Sequence, residues 1–236
     1  EKKAKRSLSD DIDDVPSQTT TTSPANSPAD KVCHPGTTPS GSACHPSEGG
    51  DLVPELRFPE FRGEKGWDVT NLGNKEISVF VKEKISLEQL TLETYVSTEN
   101  LLPDYSGLIT ASKLPTYGSC TSFLIGDTLI SNIRPYLRKI WLATKNGGSS
   151  NDVIVIRAKS KINNIFLSYI LKNDACINYA MKCAKGVKMP RGDISLMKKY
   201  PLAIPSLPEQ RKIADCLSSL DDLIGGEVRR LEGYRA

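Results

Sequence analysis

Apolar residues near the carboxyl end recur at a helical step. Ile213, Leu217, Leu220 and Ile224 are spaced by four, three and four, and the series continues to Leu231 and Tyr234, with Glu227, or Val228 beside it, at the intervening position. Two apolar positions per heptad make a narrow seam that pairs with another helix, not the wider stripe of a helix lying on a globular core. Asp215, Ser218, Ser219 and Asp221 keep the flanks polar. Ser206 and Glu209 have the spacing of a capping box. Pro208 fits the first turn, where backbone N–H groups have no intrahelical partner. The pattern predicts a protruding coiled-coil helix over residues 206–236, with Ile213, Leu217, Leu220 and Ile224 at an interface. Gly225–Gly226 is the expected place for a kink, because each glycine costs ~1 kcal/mol relative to alanine.

Upstream the apolar runs are short and mostly strand-like. Val53–Phe61 is extended by its prolines, Arg62–Gly66 turns the chain, and Trp67 is expected as a core anchor. Ile77–Val81 alternates and reads as a strand. Ser122–Ile130 holds two apolar runs about a turn at Gly126–Asp127. Ile140–Ala143 and Val153–Ile156 read as buried strands, with Asn146-Gly147-Gly148 as a turn between them. Phe166, Ile170, Ile177 and Met181 repeat near the helical period, so one helix is expected from Asn163 or Asn164 to about Met181, with Cys176 as a small buried apolar group. Tyr200–Pro205 is again extended. The fold class expected is α/β: a mixed domain of short strands and helices over residues 51–205, then the helix. Residues 1–50 are Ser/Thr/Pro-rich, with too little apolar surface to order, and read as a disordered tail.

Charge sharpens this division. Residues 1–50 carry five Lys/Arg and seven Asp/Glu, a net of −2, so the +3 of the whole chain leaves +5 on the remainder. A mildly basic folded part suits an acidic polymer without demanding one. The basic residues form two clusters. Arg134, Arg138 and Lys139 surround Pro135-Tyr136, while Lys182, Lys185, Lys188 and Arg191 share a loop with Gly186 and Pro190. Such loops suit a phosphate backbone, although a solvated charged face accounts for most charge runs.

Several chemistries are excluded. There is no Walker A loop and no G-x-G-x-x-G. Both histidines, His34 and His45, lie in the tail, so the folded part holds no Ser-His or Cys-His pair. Cys33-His34 and Cys44-His45 are adjacent pairs, not the two-to-four-residue spacing of zinc ligands, so no metal and no cofactor are expected. Six cysteines without a C-x-x-C read as reduced thiols. No apolar run reaches ~18 residues, and neither a signal peptide nor a lipidation motif is visible, so no membrane association and a cytoplasmic location are expected.

Five stretches, taken in order, resemble one family. They are Val53–Phe61 with Trp67, Gly126–Lys139, Asn151–Arg157, Gly186–Arg191 and Ile204–Ile213. Together they are similar to the DNA specificity subunit of type I restriction-modification systems, from about residue 52 to the end. The resemblance implies a target recognition domain that binds double-stranded DNA, with catalysis in partner methyltransferase and endonuclease subunits. It implies that the helix pairs with that of a second recognition domain or a second copy. One recognition domain and one helix start suggest half a subunit or a fragment. Arg134, Arg138, Lys185, Lys188 and Arg191 are then expected mostly to hold the DNA backbone, with Lys139 also among the DNA-binding residues. The irregular stretch Thr94–Thr121, with Asn100, Lys113 and Tyr117, is expected to enter a groove and read bases. Two other readings remain: the recognition end of a fused methyltransferase-nuclease, and an adaptor that uses the helix alone.

Overall fold

The computed structural model describes residues 44–46, 52–182, 184, 186 and 189–234. Most of the tail, including Cys33-His34, and the loop positions Lys185 and Lys188 therefore lie outside the described residues. The backbone of Cys44–Pro46 (β1) forms a strand inside the stretch expected to be tail, antiparallel to Leu52–Pro54 (β2).

Val153–Ala158 (β11) is the centre of the domain. It pairs antiparallel with Ser78–Phe80 (β4) on one side and Thr128–Ser131 (β8) on the other, and Ile140–Leu142 (β9) extends the sheet beyond β8. Alternate side chains of a strand face opposite sides of its sheet. Here both sides are covered. Ile154, Ile156 and Ile130 pack with Phe166, Leu167 and Leu171 in one core, while Val153, Val155 and Leu129 pack with Phe123, Val96 and Leu101 in another. That is why Val153–Ile156 is an unbroken apolar run.

The second core lies against a second sheet, in the order Lys84–Ile85 (β5), Cys120–Phe123 (β7), Gly147–Ser149 (β10) and Tyr95–Val96 (β6). The Asn146-Gly147-Gly148 turn expected from sequence is thus incorrect from Gly147 on. β10 is a buried strand, antiparallel to β7 and parallel to β6. Its glycines serve close approach: a Cβ on Gly147 would lie 2.1 Å from the carbonyl oxygen of Thr94, and one on Gly148 would lie 2.7 Å from Ile85 and 2.8 Å from Leu90.

The single helix expected from Asn163 is two. Asn163 caps Asn164–Lys172 (α1) by accepting the Phe166 N–H at 2.9 Å. Asn173 then leaves helical geometry (φ −66°, ψ 140°), and its side chain accepts the Ala175 N–H as Asp174–Lys182 (α2) begins. A side chain that bonds the backbone locally competes with helix continuation. Ile194–Met197 (α3) is one turn capped by Asp193, and Pro201–Ile204 (β12) pairs antiparallel with Asp68–Asn71 (β3).

The last helix, Leu207–Gly233 (α4), runs unbroken through Gly225–Gly226. Its first turns lie on the domain. Gln210, fully buried, accepts the Asn163 N–H and donates to the carbonyls of Lys161 and Pro205. Glu209 does not close the expected capping box. Its carboxylate accepts from Nε and Nη2 of Arg57 (2.9 and 2.8 Å) and from the Trp67 indole N–H (3.2 Å). Trp67 is accordingly a half-buried strut between the amino-terminal segment and α4, not the core anchor expected. Ile213 packs against the domain's own core, which corrects its assignment to an outward seam, and Leu217 is half-buried. Among the described residues no helix is long and apolar enough to cross a membrane.

Candidate nucleic-acid interface

The chain reverses sharply after β8, and this turn carries the first basic cluster. Arg134 (φ 52°) and Arg138 (φ 53°) bracket the 3-10 turn Pro135–Leu137 with left-handed backbones. Such geometry is uncommon for residues other than glycine and persists where the surroundings impose it. The surroundings are visible. Asp104 and Tyr105, also at positive φ, donate their N–H groups to the carbonyls of Leu137 and Arg138 at 3.1 Å. The Tyr105 hydroxyl donates to the Lys172 carbonyl. Burial pushes the Tyr105 phenol up, so it keeps its proton near neutrality.

Arg191, from the second cluster, meets the first here. Ile133 and Arg191 form a β-bridge, the Arg134 N–H donates to the Pro190 carbonyl at 2.9 Å, and the Gly192 N–H donates to the Asn132 carbonyl at 3.1 Å. A Cβ on Gly192 would sit 2.8 Å from Oδ1 of Asn132, so the two segments approach as closely as glycine permits. The turn between β10 and β11 closes the junction, with the Asn132 N–H donating to the Asp152 carbonyl at 2.8 Å.

The cations brought together are not equivalent. Arg134 is exposed, and its guanidinium has no partner among the described residues. Arg191 reaches Asp152 at 2.7 Å and Arg138 reaches Asp174 at 2.8 Å. Lys139 donates to the Thr98 carbonyl at 2.8 Å, which pins the start of the long irregular loop. Lys113 and Tyr117 lie further along that loop. Both are exposed, and Tyr117 flanks an open groove against Lys84–Glu88. Asn100 is not available to a groove: it is 5% exposed and its Oδ1 accepts from the Ser97 N–H and hydroxyl. Lys185 and Lys188 lie outside the described residues.

Sequence reasoning missed Lys84. Its Nζ donates to Asn151 Oδ1 (3.0 Å) and Thr121 Oγ1 (3.3 Å), neutral groups that do not offset its charge. Its one basic neighbour in sequence is Lys82, with Glu83 between them and Glu88 beyond, so no cluster marked it. Asn151 and Asp152 thus hold Lys84 and Arg191 on adjacent residues of one turn.

Other charged and thiol groups are structural. Arg157 grips the buried Asp127 through two bonds of 2.8 Å, and Asp127 also accepts the Leu124 N–H. Hydrogen bonding to Asp127 raises the Arg157 pKa further. Burial pushes the Cys176 thiol up to about 12, so it is a protonated core group. Among the described residues no three His, Cys, Asp or Glu side chains group so as to hold a metal.

Comparison with known proteins follows the same outline. Residues 94–232 match the family described as "Type I restriction modification DNA specificity domain". The chain is 32% identical over 91 residues to the type I restriction enzyme EcoDI specificity subunit of Escherichia coli, a stretch covering 39% of this chain and 20% of that protein. Among solved structures it resembles the HsdS subunit from Thermoanaerobacter tengcongensis, with a TM-score of 0.56 and 22% identity over 72% of this chain and 47% of that one. It also resembles a chain from a structure of complex assembly and conformational transition in the type I R-M system, with a TM-score of 0.57 and 24% identity over 70% of this chain and 44% of the other. These structural likenesses are of fold. The match spans about a fifth of the curated subunit (20%) and under half of either solved chain (47% and 44%).

Proposed function

The chain belongs to the family of type I restriction modification DNA specificity domains, and from this premise we propose that it binds double-stranded DNA sequence-specifically and directs the chemistry of partner subunits. The observation that carries the reading is the junction at Ile133 and Arg191. Two basic segments that are far apart in sequence become one surface, bordered by a long exposed loop. Cations on such a surface neutralise phosphates and fix register, while side chains on irregular loops reach base edges. On this reading the domain performs no reaction, and methylation and cleavage belong to methyltransferase and endonuclease subunits.

The partner-binding element is α4. Around and beyond the contact of Tyr169 with Ser218 and Asp221, its apolar residues Leu220, Leu223, Ile224, Val228 and Leu231, and Tyr234 just past its end, are all exposed. At about 100° per residue these positions fall on one face, continuous with the face that seats Ile213 on the domain. A second recognition domain or a second copy would pair there, and methyltransferase subunits would dock on the pair.

Titrating the full chain against a mixed-sequence duplex over a range of salt tests the reading. Affinity should fall steeply with salt, and Arg134→Ala should make the slope shallower by roughly 0.9. Affinity that does not depend on salt, or no affinity at all, would refute it.

A further inference from the structure

We infer that Arg191 reads a guanine edge in the major groove and that Asp152 is the positioning residue that holds it for this task; the inference rests on the DNA-binding reading above. It departs from the expectation that Arg191 serves the phosphate backbone.

A phosphate accepts a cation from many directions, so a mobile side chain suffices. A guanine edge presents O6 and N7 in one plane, and only a guanidinium held in that plane meets both. Arg191 is held at both ends. Its backbone is bridged to Ile133 between Pro190 and the close-packed Gly192. Its Nη2 forms an ion pair with Asp152 Oδ1 at 2.7 Å. Asp152 is itself anchored, since its carbonyl accepts the Asn132 N–H. The Arg191 side chain remains 56% exposed, so the rest of its N–H fork is open to a ligand.

The other basic residues lack this combination. Arg134 has no carboxylate partner among the described residues, and Lys84 and Lys139 are point charges held by neutral oxygens. Arg138 has a carboxylate, but Asp174 is 67% exposed against 37% for Asp152, and an exposed partner orders its mate less. A carboxylate beside a phosphate contact would also be counterproductive, because it repels the backbone. Beside a base edge, farther from the phosphates, that penalty is smaller.

The test selects duplexes from a randomised pool with the full-length chain and sequences those retained. The wild type should enrich a motif with guanine at one position. Arg191→Lys, which keeps the charge and loses the fork, should lose about tenfold in preference at that position and leave the other positions intact. Asp152→Ala should erode the same position more than any other position of the motif. If Asp152→Ala does not fold, Asp152→Asn keeps an acceptor in place and should show partial erosion at that position. An unchanged motif for Arg191→Lys, with a shallower salt slope for Arg191→Ala, would make Arg191 a phosphate contact and overturn the assignment. Retention of duplexes without enrichment of any base would overturn the assignment and leave a DNA-binding surface. Retention of no duplex by the wild type would overturn both.

Discussion

Gly147 and Gly148 show what a single residue decides in this domain. The Gly147 position leaves 2.1 Å between a would-be Cβ and the Thr94 carbonyl oxygen, and 2.7 Å to the Phe123 ring. Backbone cannot yield as a flexible side chain can. Gly147→Ala should therefore destabilise the domain by about 3 kcal/mol, the upper end of overpacking, measured by denaturant unfolding. A loss of a few tenths would mean that β6 and β10 separate easily. Local sequence could not show this, because Asn-Gly-Gly favours a turn and the groups that demand glycine are remote in sequence. Glu209 was misread in the same way. Its spacing to Ser206 suits a cap, but the Arg57 guanidinium and the half-buried Trp67 indole take up its carboxylate. The Arg57 and Glu209 side chains are 6% and 1% exposed, so Glu209→Ala leaves a buried guanidinium without its carboxylate, held only by the Glu64 and Lys65 carbonyls, and should cost about 3 kcal/mol. A cost below about 0.5 kcal/mol, typical of exposed pairs, would show that water replaces the carboxylate.

At the scale of elements, strand positions were legible where burial follows period two or covers both faces. β8, β9 and β11 overlap apolar runs visible in the sequence, because a strand packed on both sides is mostly apolar, and β4 lies in the alternation Ile77–Val81. Helix continuity was less legible. Asn173 ends α1 through local bonding, which the apolar repeat from Phe166 to Met181 conceals. In α4 the seam was legible but its division was not. Ile213 faces the domain, and the outward stripe begins at Leu220. Leu220→Asp with Ile224→Asp should thus leave the thermal midpoint of the domain unchanged while abolishing helix pairing in sedimentation experiments. A lowered midpoint would place these residues in the domain's own packing. A Cβ on Gly226 would meet no atom within 4 Å outside the helix's own nearby backbone. Gly226→Ala should accordingly add about 1 kcal/mol of helix stability, seen as slower amide exchange across residues 222–230.

For the whole molecule, charge composition identified both basic clusters but not their meeting. That meeting depends on bridging Ile133 to Arg191 and on the Asp152 turn, contacts that no local pattern encodes. The same separation between domain and helix carries the last prediction. On the DNA-binding reading proposed above, the domain carries one recognition surface, and the apolar face of α4 continues past the part seated on that domain. If a second copy pairs along this face, two surfaces are held at a fixed separation, and the DNA selected from a randomised pool should contain two half-motifs at constant spacing. The Leu220→Asp, Ile224→Asp chain should still select a half-motif, because its DNA surface is intact, but the second half and the fixed spacing should vanish. Its affinity for a single half-motif should match the wild type at the same salt. A bipartite motif that survives in the double variant would place the pairing surface elsewhere. A wild-type motif with only one half would mean that the apolar stripe of α4 serves a partner other than a second copy of this chain.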